Sequence, residues 1–182
     1  MNHYAMLSAF GQDRPGIVAA LAEGLYRLGC NIEDTCMTSL RGEFAMMLMV
    51  RLPEGLSSDQ LSQHLTPDTS RLGLTLLCRE LPAQAATRNP ASDLPLYMLS
   101  VYGADHPGIV AKVARVVADH SGTITDMNTR VIGAADHPVY VMILEVRFPA
   151  GADPAPLERA FDQLKPTLGV DLTFRPLEQF QL

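Results

Sequence analysis

The heptapeptide Asp13-Arg14-Pro15-Gly16-Ile17-Val18-Ala19 returns, with one exchange, as Asp105-His106-Pro107-Gly108-Ile109-Val110-Ala111. Each copy follows an alternating apolar run, Tyr4 to Phe10 or Leu96 to Tyr102, and then a glycine, Gly11 or Gly103. Each precedes apolar residues at three- and four-residue steps, Ile17, Leu21, Leu25 and Leu28 in one case and Ile109, Val113, Val116 and Val117 in the other. A strand, a tight turn and a helix are therefore predicted twice, and the chain reads as two copies of one unit.

The correspondence runs on. Ser8, Ile32 and Asp34 reappear ninety-two positions later as Ser100, Ile124 and Asp126. Beyond the next turn the spacing is ninety-six, with Phe44, Val50, Leu61 and Gly73 answered by Tyr140, Val146, Leu157 and Gly169. Four residues have been added within Ile132–Pro138.

In the first unit the periodicities predict a strand over 4–10 and a helix over 15–28. A strand then runs from Ile32 to a hairpin at Arg41-Gly42-Glu43, with its partner over 44–52. Ser57 and Gln60 form a capping box opening a helix over about 57–65, and a strand over 72–81 closes the unit. Asp13 and Asp105 are expected to cap their helices, with Pro15 and Pro107 in the first turn. Asp153-Pro154 is expected to start the last helix with a cap and a proline. The order βαββαβ is the ferredoxin-like split βαβ. The fold class is α+β, two tandem units, each an antiparallel sheet with two helices on one face. Domains span 1–81 and 96–182, joined by a linker over 82–95 rich in Pro, Ala and polar residues.

Of the 182 residues 47% are hydrophobic, enough for a core in each unit, and the net charge is −6. With a pI near 5.3 and no clustered Lys or Arg, the electrostatic footprint of a nucleic-acid binder is missing, so no direct nucleic-acid contact is expected. No run reaches the length of a membrane span and the N-terminal residues show no signal-peptide pattern, so no membrane contact and a cytoplasmic location are expected. Cys30, Cys36 and Cys78 lack C-x-x-C spacing and are expected as buried free thiols. The five histidines are scattered, and the phosphate-loop, dinucleotide and nucleophile-elbow motifs are lacking. No catalytic residue, metal or cofactor is expected.

The repeated turn does offer a binding site. Free N–H groups at Gly16-Ile17 and Gly108-Ile109 would sit at the positive end of a helix, which suits a carboxylate or a phosphate. Asp13 with Asp34, or Asp105 with Asp126, would repel a dianion and attract an ammonium group. A zwitterion such as a free amino acid fits both demands. The competing reading is that each aspartate only caps its helix.

These turns, together with Gly29-Cys30-Asn31-Ile32-Glu33-Asp34 and Leu40-x-Gly42-Glu43-Phe44, resemble ACT domains, small regulatory modules that bind amino acids. The whole chain is similar to tandem ACT-domain regulators of glycine cleavage genes. That resemblance implies glycine as effector and a DNA-binding transcriptional activator as partner, with no contact to DNA itself. It implies a ligand site formed by Gln12, Asp13, Arg14, Pro15, Gly16 and Ile17 of one domain with Cys30, Asn31 and Ile32 of a neighbour, an arrangement that admits a homodimer. In the second copy the corresponding residues are Asp105, His106, Gly108 and Ile109 with Thr123 and Ile124. That copy departs from the pattern at His106 and at Ser121-Gly122-Thr123, which points to the first unit as the binder. The alternatives are a ligand-free adaptor and a regulatory subunit of an amino-acid or folate-linked enzyme. Met47 and Met49 on the second face of the third strand are expected to be covered, by packing between the two units or by a partner surface.

Overall fold

The computed structural model describes residues 3–82, 94–134 and 138–177. The chain divides into two compact units, Met1–Asn89 and Pro90–Leu182. Most of the expected linker, and Ala135 to His137 within the lengthened hairpin, lie outside the described residues.

Unit 1 runs β1 (His3–Gln12), α1 (Ile17–Arg27), β2 (Asn31–Leu40), β3 (Glu43–Leu52), α2 (Ser58–Arg71) and β4 (Leu74–Leu81). Unit 2 runs β5 (Leu96–Gly103), α3 (Ile109–Asp119), β6 (Thr123–Ile132), β7 (Val139–Arg147), α4 (Ala155–Leu168) and β8 (Val170–Pro176). The sheets have strand orders β2-β3-β1-β4 and β6-β7-β5-β8, with every pairing antiparallel. Each is a ferredoxin-like sheet.

The period-2 alternation of β1 divides its faces. Ala5, Leu7 and Ala9 are fully buried under α1 and α2, beside Leu48, Val50, Leu21, Leu61 and Leu65. On the other face Phe10 is 46% exposed, and neighbouring β3 and β4 show Met47 at 50% and Leu77 at 60%. The methionine face is therefore open in unit 1. Cys36, opposite Met47 on β2, shares that open face and is exposed, which corrects the expectation of a buried thiol. Cys30 and Cys78 are half-buried, and burial pushes the Cys78 thiol up to about 11.

The helix α2 extends past its expected end at 65, through Pro67 to Arg71, because its buried stripe of Leu61 and Leu65 continues to Thr69. Thr69 buries its hydroxyl by donating to the Leu65 carbonyl at 3.1 Å. The capping box is present, Gln60 N–H donating to Ser57 Oγ at 3.2 Å and Ser57 N–H to Gln60 Oε1 at 2.9 Å. At the start of α4 the Asp153 carboxylate accepts from Ala155 N–H at 3.0 Å, beside the helical Pro154.

The strand-ending glycines have a steric role. A Cβ on Gly11 would lie 2.6 Å from the Gly73 carbonyl oxygen, and one on Gly103 would lie 2.7 Å from Val170 Cγ1. At that end of the sheet β4 and β8 press against the central strand. Gly11→Val is expected to destabilise unit 1 by about 1–3 kcal/mol, since backbone is slow to yield to overpacking. Faster hydrogen exchange of the β1 and β4 amides checks it. Leu48→Ala, which empties a fully buried site, is expected to cost about 2–5 kcal/mol of unfolding free energy in urea titration.

Candidate ligand-binding turns

The helix α1 begins at Ile17 with Gly16 as its cap residue, at φ 92° and ψ −4°. Gly108 does the same for α3 at φ 102°. Nothing lies within 4 Å of a Cβ built on either glycine, so the requirement is conformational: this left-handed backbone is open to glycine at no cost. A glycine cap brings no acceptor. Accordingly no side chain caps either helix, and neither first turn carries an acidic residue. The helix-start reading of the motif thus needs two corrections. Asp13 and Asp105 lie three residues before the cap, too early to serve it, and Pro15 and Pro107 precede the first turn instead of occupying it.

Asp13 is bound elsewhere. Its Oδ2 accepts from the Ser39 hydroxyl at 2.7 Å, and its N–H donates to the Gly42 carbonyl at 2.8 Å, so the turn is clasped to the β2–β3 hairpin. Arg14 Nη2 donates to Gln12 Oε1 at 3.0 Å. Gln12 to Gly16 are all exposed while Ile17 anchors the helix in the core at 2% exposure. The result is an accessible rim with a guanidinium, first-turn amides that no side chain caps, and a carboxylate held in place by a serine.

In unit 2, position 39 is answered by Val131, and the clasp comes from the other side. His106 Nε2 lies 2.6 Å from the Leu168 carbonyl at the end of α4, and Nδ1 lies 3.2 Å from the Pro107 carbonyl. Carbonyls only accept, so a neutral ring satisfies one contact and an imidazolium both. The Leu168 and Pro107 carbonyls and the Asp105 charge hold the His106 pKa above its usual value, against partial desolvation and Lys112. Burial raises the Tyr140 pKa, with Asp105 adding to it and a Thr129 hydrogen bond opposing it.

The expected site residues do not all meet within one unit. Gln12 pairs with Glu43 at one end of the sheet, whereas Asn31 and Tyr4 pair with Arg51 at the other. Eight residues of β1 separate those rungs, about 26 Å at ~3.3 Å per residue. Gln12, Asp13, Arg14, Pro15, Gly16 and Ile17 gather at the hairpin end, and Cys30, Asn31 and Ile32 at the opposite end. In unit 2 the same separation holds between Asp105, His106, Gly108, Ile109 and the pair Thr123, Ile124, since Gly103 pairs with Tyr140 and Thr123 with Arg147.

Asp34 does not join Asp13 either. It stands opposite Met49 on the open face, five residues along β2 from Ser39, about 17 Å away. Asp126 is placed likewise opposite Glu145.

Two features went unread in the sequence. Ser39 and Gly42 complete the turn of unit 1. At the far end Glu33 fills a bulge between Ile32 and Asp34, where it accepts from Arg51 Nε at 2.8 Å and Asn31 Nδ2 at 3.0 Å. The Asn31 bond, and after it Arg51, hold the Glu33 carboxyl below its usual range against some desolvation. Among the described residues no group of three His, Cys, Asp or Glu is placed to hold a metal, and no helix is long and apolar enough to cross a membrane.

The raised His106 pKa sets a sign. Its stabilising contribution is fully present below the unfolded value near 6.5 and is lost as pH rises through the folded value. Protection factors of amides at the C-terminal end of α4, taken relative to the intrinsic base-catalysed rate at each pH, are expected to be higher at about pH 6 than at pH 8, and His106→Asn to flatten that difference.

The family model of the ACT domain matches residues 3–79 and again 96–175. The chain is 27% identical over 166 residues to the glycine cleavage system transcriptional repressor of Escherichia coli (strain K12), covering 90% of this chain and 84% of that one. Among solved structures, an unknown protein from Galdieria sulphuraria superposes with a TM-score of 0.82 at 25% identity, over 98% of this chain and 100% of that chain. A proposed glycine cleavage system transcriptional repressor shares the fold with a TM-score of 0.76 at 17% identity, over 98% and 99% of the two chains. Two uncapped glycine-started helices on two ferredoxin-like sheets, matched twice by one family model, establish that the chain belongs to the ACT domain family as a tandem pair.

Proposed function

We propose that this protein is an amino-acid-responsive regulator of glycine cleavage genes that acts on a DNA-binding activator and not on DNA. The observation that carries the ligand part is the exposed start of α1. No side chain caps its first turn, Gly16 leaves the backbone open, and Arg14 adds positive charge for a carboxylate. Asp13 has one oxygen engaged by Ser39 and the other available to an ammonium group. An α-amino acid carries both charges, and glycine needs no side-chain pocket on this shallow rim. Cys30, Asn31 and Ile32 join the site only from a neighbouring domain, because they sit a sheet length away in their own unit.

Unit 1 is the better binder in this reading. In unit 2 the turn is fastened by His106 to α4, and no hydroxyl stands where Ser39 holds Asp13. The regulatory part is supported by the repressor of Escherichia coli as a relative over 90% of the chain, and the net charge of −6 disfavours DNA as the direct target. The open face with Phe10, Met47 and Leu77 favours a second reading, a protein adaptor whose turns take no ligand.

Thermal unfolding in the presence of each amino acid separates the two. At a hundredfold excess over Kd a ligand adds about 2.7 kcal/mol, a rise on the order of 5 °C or more. Glycine is expected to give that rise, and Asp13→Asn or Gly16→Ala to reduce it. A flat response to all amino acids would leave the adaptor.

A further inference from the structure

Every ring-to-ring contact among the described residues lies in unit 2, and three of the rings wall a recess of about 290 Å³. Tyr97 and Phe174 stack at 4.6 Å, and Phe148 meets them edge-on at 5.6 and 6.0 Å. The recess lies between the end of α3, at His120 and Ser121, and the start of α4, at Asp153 to Leu157. This end of the unit is opposite the Asp105–Gly108 turn, because Tyr97 pairs with Val146 while Gly103 pairs with Tyr140.

Unit 1 serves as an internal comparison. By register, Tyr97, Phe148 and Phe174 are answered there by Ala5, Leu52 and Cys78. The recess near Leu52 and Ser57 in unit 1 has no aromatic wall. Unit 2 also makes room for its rings, since a Cβ on Gly122 would fall 2.5 Å from Phe148 Cε1. The same step in unit 1 carries Cys30.

The rim has a definite polarity. Pro154 and Pro156 bring no N–H to the start of α4, and the Ala155 N–H is taken by Asp153 at 3.0 Å. This helix start therefore offers little to an anion. His120 Nδ1 donates to the Val116 carbonyl at 2.8 Å, and Nε2 is the ring nitrogen that this contact leaves. Asp153 adds a negative charge, and among the described residues no Lys or Arg lines the recess. Aromatic walls with one carboxylate suit an apolar cation.

We propose that this recess is a second small-molecule site, confined to unit 2, which takes a single-ring organic ammonium compound and rejects carboxylates. Its volume, near the lower end of the range of about 300–1,000 Å³ typical of ligand pockets, limits the occupant to one ring with a short amine arm. The site has the opposite charge preference to the Gly16 turn and stands independently of the amino-acid reading.

The test is an amide NMR titration of the full chain with benzylamine, benzyl alcohol and benzoate. Benzylamine is expected to shift the Ser121, Phe148 and Leu157 resonances in a saturable way, benzyl alcohol more weakly, and benzoate not at all. Asp153→Asn keeps an acceptor for the α4 cap and is expected to weaken benzylamine about tenfold while leaving benzyl alcohol unchanged. Absence of a localised shift, an equal response to benzoate, or an unchanged benzylamine affinity in Asp153→Asn would overturn the proposal.

Discussion

The central strand of each unit is hydrogen-bonded on both edges and ends where its neighbour presses hardest. At Gly11 the Gly73 carbonyl leaves no room for a Cβ, and at Gly103 the side chain of Val170 does the same. A residue without a side chain is required there, and the chain must then leave the sheet and start a helix within a few residues. That helix starts from a left-handed glycine, which supplies no cap of its own. The exposed amides of the turn are thus a by-product of how the sheet closes. The ligand site proposed above would use backbone groups that folding leaves unsatisfied by protein.

Once this frame exists, the two copies diverge by fastening the same turn differently. In unit 1 a serine on the edge strand holds the aspartate and leaves the guanidinium at the rim. In unit 2 the guanidinium is replaced by an imidazole that reaches the last turn of α4. The first uses a hydroxyl and a carboxylate. The second ties a loop to a helix end through an imidazole whose pKa the two carbonyls raise. Duplication thus left one turn with two different fastenings.

Much of this was legible in the residues because the repeat doubled every signal. The βαββαβ order and the Ser57–Gln60 capping box follow from spacing alone. What was not legible depends on which strand runs beside which. Asp13 reads as a helix cap by distance along the chain, yet its partner Ser39 is twenty-six residues away across the sheet. Asp34 looked like a neighbour of Asp13 until the register put it on the open face. Cys36 falls in an apolar stretch, but β2 is an edge strand with every residue exposed, so composition gave no guide to its burial. The aromatic recess escaped notice for a related reason, since Tyr97, Phe148 and Phe174 come from three strands and no motif links them.

The fit of Gly122 against the Phe148 ring bears on how such a gene changes over time. Internal duplications are prone to recombination between their halves, which copies a stretch of one repeat over the other. Copying the Gly29-Cys30-Asn31 stretch of unit 1 into unit 2 would put a cysteine side chain into space already filled by Phe148, 2.5 Å from the nearest ring atom. Such a hybrid would be overpacked until the phenylalanine also changed. The pair is thus a steric mismatch that any such copying would have to resolve.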